Sequence, residues 1–277
     1  MKFALKSIVA ATAFVAVGVA SAANVTVAGN NSAVFNNMTF AGSGGLAFSD
    51  KLMGALDTVK VQVLPVGGAI GNITKDSDGY YTSAAVSTGI ANLTIDNVAN
   101  KVMAVATTGG AKQVAPALKS VSSGGELTVT NLRIDLNAKK VYADLFSTNA
   151  MNAAGDKTLL NFNLWDIMGK AQYDGVGDDA VFTGYDASTA IVGTTLIGGP
   201  GTYQNTLNGL KVTAGGFDAF SKGLGLLSMG RSALASVHDF GTMTSTIVAT
   251  ALPEPTTYAL MGLGLVGLSL VARRKAK

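Results

Sequence analysis

Apolar and polar residues alternate two by two through the middle of the chain, which is the period of a half-buried β-strand. Asn92 to Val98 (NLTIDNV) and Lys101 to Ala106 (KVMAVA) flank a tight Ala99-Asn100 link and predict a hairpin. Gly125 to Leu136 (GELTVTNLRIDL) and Lys140 to Phe146 (KVYADLF) flank Asn137-Ala138-Lys139 and predict a second. Within Gly125 to Leu136 the apolar parity shifts: Leu127 and Val129 share one phase, and Leu132, Ile134 and Leu136 share the other. One extra residue near Thr130-Asn131, a β-bulge, produces that shift. The hairpins echo each other (LTIDNV and LTVTNL), as an internal duplication would. Leu160, Phe162 and Leu164 alternate with Asn161, Asn163 and Trp165, which predicts a further strand with the first three residues inward.

Two stretches carry the longer helical period. Ser49 to Val59 offers Ser49 or Asp50 as N-cap and places Leu52, Met53 and Leu56 on one side. Gly216 to Ser228 lines up Phe217, Phe220, Leu224 and Leu227, although Gly223 and Gly225 weaken a helix there. Ala171 to Asp179 (AQYDGVGDD) and Ile197 to Gly201 (IGGPG) read as loops. Many strands, few helices and regular turns predict a mainly β protein, an antiparallel β-sandwich-like domain with one or two short covering helices.

The two ends follow different patterns. Lys2 and Lys6 precede an apolar run from Ile8 to Ala20 and the small residues Ala20-Ser21-Ala22, the layout of a secretory signal peptide over residues 1–22. At the other end, residues 258–272 are free of charge and form an expected transmembrane helix. At 1.5 Å per residue it covers roughly 22 Å of a ~30 Å hydrocarbon core, so it spans only with help from its flanks. Arg273, Arg274 and Lys275 follow, and cations of this kind stay on the cytoplasmic side, leaving residues 23–251 outside. Before the run, Pro253-Glu254-Pro255 is expected to be extended, because each proline fixes its own φ and Pro255 disfavours helix at Glu254.

In that order of parts (tripeptide, apolar span, basic end), residues 252–277 resemble a PEP-CTERM sorting signal. The resemblance implies recognition of Pro253, Glu254 and Pro255 by exosortase, a membrane protease of exopolysaccharide-producing Gram-negative bacteria. It also implies removal of the tail and delivery to the cell surface or extracellular matrix, with exopolysaccharide as a candidate partner. Gly262-Leu263-Gly264-Leu265-Val266-Gly267 matches a dinucleotide fingerprint in letters only, since it has neither a preceding strand nor an acidic residue about twenty positions on.

Charge and composition change this picture in three ways. The net charge of +3 comes from the ends: without six terminal cations and Glu254, 14 Lys and Arg face 16 Asp and Glu. A near-neutral, slightly acidic body excludes a nucleic-acid binder. With no cysteine, an exported domain has neither disulfides nor a catalytic thiol. Acidic residues are nearly all Asp, which favours turns.

Candidate chemistry is sparse. His238 is the only histidine, and Gly230-Arg231-Ser232-Ala233-Leu234 lacks the final glycine of a nucleophile elbow. Asp76 and Asp78 on one loop, and Asp174, Asp178 and Asp179 on another, offer oxygen ligands of the kind calcium takes, though neither completes an EF-hand. Glu126 is the only glutamate between the two terminal signals, so no carboxylate pair points to glycoside cleavage. Trp165 follows an apolar strand and is expected in the core rather than against a sugar ring. Gly124 to Leu145 and Leu207 to Leu227 also resemble the HtaA domain of surface haem-acquisition proteins. That resemblance implies a β-rich fold able to hold haem iron through a tyrosine assisted by a histidine, and it assigns no tyrosine here. The expectation is a non-enzymatic exported protein without a cofactor, structural or adhesive at the cell surface. A haem- or calcium-binding module is the alternative.

Overall fold

The computed structural model describes residues 24–148, 157–175, 180–193, 195–253, 260 and 263. Strands β1 (Asn24–Ala28), β2 (Asn30–Phe35) and β3 (Met38–Phe48) lead into helix α1 (Asp50–Val59). There follow β4 (Gln62–Val66), β5 (Ile70–Lys75), β6 (Tyr81–Asp96), β7 (Lys101–Thr107), β8 (Gly110–Leu118), β9 (Ser122–Asp135), β10 (Lys140–Thr148) and β11 (Lys157–Ile167). A hairpin of β12 (Lys170–Asp174) and β13 (Val181–Asp186) precedes β14 (Ile191–Gly193), β15 (Gly201–Leu207) and β16 (Leu210–Val212). Helices α2 (Ala214–Gly223) and α3 (Ser228–Ala235) and strand β17 (Gly241–Ala251) complete the body. The protein is mainly β and every strand pair is antiparallel; the signal and C-terminal helices expected from sequence lie outside the described residues, apart from Leu260 and Leu263.

Fifteen strands share one hydrogen-bonded sheet, whose main path runs β14-β15-β17-β3-β6-β7-β9-β10-β11-β16. Two strands turn it over on itself. β6 pairs with β5 and β3 up to Gly89, and from Ile90 onward with β7 and β1. An extra residue, Ala91, sits in β6 at this exchange, and its carbonyl accepts the Gly29 amide at 2.9 Å. The approach is so close that a Cβ on Gly29 would lie 2.5 Å from the Ile90 carbonyl oxygen. β9 behaves in the same way, pairing with β8 up to Thr130 and with β7 from Arg133. Inner faces alternate as the pleat requires: along β17, Met243, Ser245, Ile247 and Ala249 are buried.

Both expected hairpins form, with Asp96 opposite Lys101 and Asp135 opposite Lys140. Their turns are chemically alike. Asp96 Oδ1 accepts from the Val98 and Ala99 amides, and Asp135 Oδ1 from the Asn137 and Ala138 amides. Asn100 and Lys139 close the two turns at φ 51° and 53°. The bulge in β9 is present at Asn131, which has φ 52°. Its side-chain amide donates to Asp144 Oδ2 at 2.9 Å.

β11 departs from simple alternation. Asn161, at φ 49°, forms a second bulge, and its amide donates to Asp144 Oδ1 at 2.8 Å. The bulge turns Leu160 outward, 72% exposed, and Leu159 inward, so the expected inward set Leu160-Phe162-Leu164 does not hold. A further register shift lets adjacent Leu164 and Trp165 both be buried.

α1 begins as expected, with Ser49 Oγ accepting from the Leu52 amide at 3.1 Å. The expected helix Gly216–Ser228 is instead two helices. The residues between them bond to the start of β9 and the residue before it, through Ser123 N to Gly225 O and Leu227 N to Val121 O, each 2.8 Å. Gly225 takes φ 61° to allow it. The expected loop Ala171–Asp179 begins with strand β12, whose Ala171 and Tyr173 alternate with exposed neighbours. α1 packs on β6, β8 and α3, and α2 on β9 and β11.

Trp165, 3% exposed, contacts Phe220 and Phe240 with ring centroids 6.3 and 6.1 Å away. Trp165→Ala is expected to cost about 3–5 kcal/mol by chemical denaturation, and Leu160→Ala no more than about 0.5 kcal/mol. Equal costs would contradict the bulged register.

Candidate functional site

Two places concentrate function-relevant residues. The first is where the body passes into its tail. β17 pairs along its whole length with β3, from Gly241 opposite Phe48 to Ala251 opposite Met38. Pairing ends in a two-way clamp: the Leu252 amide donates to the Asn37 carbonyl at 2.9 Å, and Asn37 Nδ2 donates to the Leu252 carbonyl at 3.2 Å. Asn36 and Asn37 form the β2–β3 turn at φ 49° and 57°, conformations that asparagine tolerates better than most residues. Pro253 follows at once and is exposed. Without an amide hydrogen it cannot extend the ladder. The expected recognition residues Glu254 and Pro255, and the topology residues Arg273, Arg274 and Lys275, lie outside the described residues. Among the described residues, no helix is long and apolar enough to cross a membrane.

The second place is the loop carrying His238. Ser49 Oγ, at the start of α1, donates to the Asp239 carbonyl, and the Ser49 amide donates to the Phe240 carbonyl at 3.3 Å. Asp239 Oδ1 accepts the Leu210 amide at 3.1 Å and the Gly241 amide at 2.8 Å. Its carboxyl thereby joins β16 to β17. Over this loop lies the β12–β13 hairpin. Phe182 stacks on the His238 imidazole (centroids 4.1 Å apart, planes 11°), while Tyr173 and Tyr185 pack edge-on to Phe182. The Tyr185 hydroxyl donates to the His238 carbonyl.

Burial pushes the Tyr185 phenol up to about 12, helped by the negative charge of Asp239 and by Tyr173. Burial and Asp239 also raise Tyr173. Burial raises the Asp239 carboxyl, and the two amides it accepts from partly counter this. Imidazole and carboxylate are used in packing and turn formation, and among the described residues no hydroxyl hydrogen-bonds to the His238 imidazole.

This environment bears directly on haem. A tyrosine that ligates ferric iron acts as phenolate, and an assisting histidine side chain lowers the cost of ionising it. Among the described residues, the only tyrosine hydroxyl bonded to His238 donates its hydrogen bond to the backbone carbonyl, and the imidazole lies flat on Phe182. The pair does not fit that role.

The remaining candidates are dispersed. Asp76 Oδ1 accepts the Asp78 and Tyr80 amides at 3.0 and 2.9 Å, shaping the turn before β6. Asp174 is exposed at the end of β12, and Asp178 and Asp179 lie outside the described residues. Glu126 pairs with Lys112 at 2.8 Å. Among the described residues, no three His, Cys, Asp or Glu side chains gather as a metal site would need. Trp165 lines a largely apolar core cavity of about 80 Å³, with its Nε1 buried and unpartnered. Sequence reasoning missed the Tyr173–Phe182–Tyr185–His238 cluster, because its members come together only when the hairpin folds back. The one available signal was the aromatic spacing around Gly184.

The last described strand, β17, is thus followed within two residues by an exposed proline. Residues 251–275 match the PEP-CTERM protein-sorting motif. That motif implies export, association with the cell envelope, and exosortase as processing partner. No curated protein sequence matches the chain. Among solved structures, the haem-binding protein HtaB from Corynebacterium glutamicum is similar at TM-score 0.41 and 12% identity, over 83% of this chain and 98% of that one. The C-terminal domain of HtaA from the same organism is similar at TM-score 0.37 and 8% identity, over 76% and 99%.

Because burial raises the folded-state pKa of Asp239 above 3.8, the protonated acid favours the fold. That contribution is present below 3.8 and lost as pH rises through the raised value. Asp239→Asn keeps an acceptor for both amides and cannot ionise. Its urea midpoint should therefore fall less than the wild type's as pH rises from 3.8. A parallel fall in both proteins would show that the carboxyl's ionisation is not coupled to folding.

Proposed function

We propose that this chain is a non-enzymatic surface protein of an exopolysaccharide-producing Gram-negative bacterium. Exosortase would cut its tail beyond Leu252, and the compact β-body would serve a structural or adhesive role in the extracellular matrix. The observation that carries this reading is the direct junction of the sorting motif with a fully paired β17. The Leu252 clamp leaves Pro253 as the first residue outside the sheet, so a cut beyond it removes none of the described strands. The intact mass of the exported protein decides the matter. In a wild-type strain it should correspond to a chain starting at Ala23 and lacking the apolar tail, and in a strain without exosortase the tail should remain. A tail retained in the wild type refutes processing. A passive role further predicts that His238→Ala, Asp76→Ala and Asp178→Ala leave localisation and matrix phenotype unchanged.

A ligand-binding module is the second reading, and the half-buried cluster of Tyr173, Phe182, Tyr185 and His238 favours it by composition. Its hydrogen bonding argues against haem iron. Titration of the exported protein with haemin should give no tyrosinate-to-iron charge-transfer band. Appearance of such a band, and its loss in Tyr185→Phe, would reverse this preference.

A further inference from the structure

Hydrogen bonds link the place where the tail leaves the body to segments that carry exposed aliphatic side chains. Leu252 is clamped by Asn37. Next to it, Asn36 Nδ2 donates to Asn100 Oδ1 at 3.0 Å, joining the β2–β3 turn to the β6–β7 turn. The Asn100 carbonyl accepts the Ile197 amide at 2.8 Å, and Leu196 forms an isolated bridge with Lys101, which brings in the loop before β15. On these three segments Val98 is 65% exposed, Leu196 55% and Val34 59%. Scattered exposed aliphatics are ordinary, but these three lie on segments joined by hydrogen bonds to one another and to the chain exit. The nearby Asp96 carboxylate is folded back onto the Val98 and Ala99 amides, away from opposing an apolar contact.

Chain length limits what this rim can face. Only residues 253–257 separate Leu252 from Tyr258, where the apolar run starts. Six fully extended Cα steps reach about 20 Å at most. The headgroup layer itself takes up about 5–7 Å of that on each side of the hydrocarbon core. Tethered this closely to an inserted tail, the exit rim stays within about 15 Å of the headgroup layer, near enough to dock on it.

We propose that the rim formed by Val34, Val98 and Leu196 docks on the outer lipid surface of the membrane that holds the tail, placing the Pro253–Pro255 segment at headgroup depth before it is cut. This rests on the tail being a membrane-inserted sorting signal. The docked rim orients the body, so the scissile region is presented beside the membrane rather than swinging free. It engages by shallow burial of aliphatic groups, the mode of interfacial anchors.

The test uses the full chain from cells lacking exosortase, in phosphatidylethanolamine–phosphatidylglycerol vesicles containing nitroxide-labelled lipid. The protein has no cysteine, so each variant carries one fluorophore. Probes at Val98→Cys and Leu196→Cys should be quenched at least about twofold more than a probe at Asp78→Cys, in the turn at the other end of β6. A probe at Leu263→Cys reports the tail. Quenching at 263, with 98 and 196 matching 78, overturns docking and leaves the sorting reading intact. No quenching at 263 sinks the sorting reading and docking with it. Adding V98D and L196D to the Val34→Cys protein should bring its quenching down to the level at 78, and unchanged quenching would also overturn the proposal.

Discussion

Every backbone amide in a folded sheet needs a carbonyl, and a sheet of fifteen strands cannot satisfy that need while staying flat and covering its own apolar face. Here the conflict is resolved at two points along β6 and β9, where each strand gives up one set of partners for another. Both exchanges coincide with a bulge, at Ala91 and at Asn131, because one extra residue re-aims the ladder without leaving a row of orphaned amides. The two inner faces then close on one core, and the helices fill what the strands leave open. Asp144 supports the second corner by accepting from Asn131 and Asn161, so one carboxylate stabilises left-handed residues on both neighbouring strands.

The tail junction follows from this closure. β17 enters late in the sequence and lies between β3 and β15, in the interior of the sheet. An interior strand cannot be pulled out without breaking two ladders, so the body remains intact whatever happens beyond Leu252. The asparagine turn at 36–37 then does two jobs: it reverses the chain between β2 and β3, and it holds the last residue of the body. A proline as the next residue ends the ladder by chemistry rather than by chance.

The polar groups that invite a catalytic reading are engaged elsewhere. Asp239 carries two amides, His238 supports a hairpin through its ring and its carbonyl, and Asp76 holds a turn. Each is a local solution to backbone satisfaction, and none is set opposite a reactive partner.

Local chemistry made several features legible in the sequence alone. The two hairpins could be read because alternating strands flank links of only two or three residues, and the structure adds that Asp96 and Asp135 hold the turns through local amides. The bulge near Asn131 was visible as a change of parity, and Ser49 as an N-cap. The sorting tail is linear by nature and was read whole. What the sequence could not reveal depends on contacts far apart in the chain. The outward turn of Leu160 comes from Asp144, seventeen residues before Asn161. The break between α2 and α3 comes from β9, about a hundred residues earlier. The aromatic cluster on His238 and the exposed aliphatics linked to the Leu252 exit come from segments far apart in the chain. Periodicity reports which face of an element is apolar, but only packing decides what that face meets.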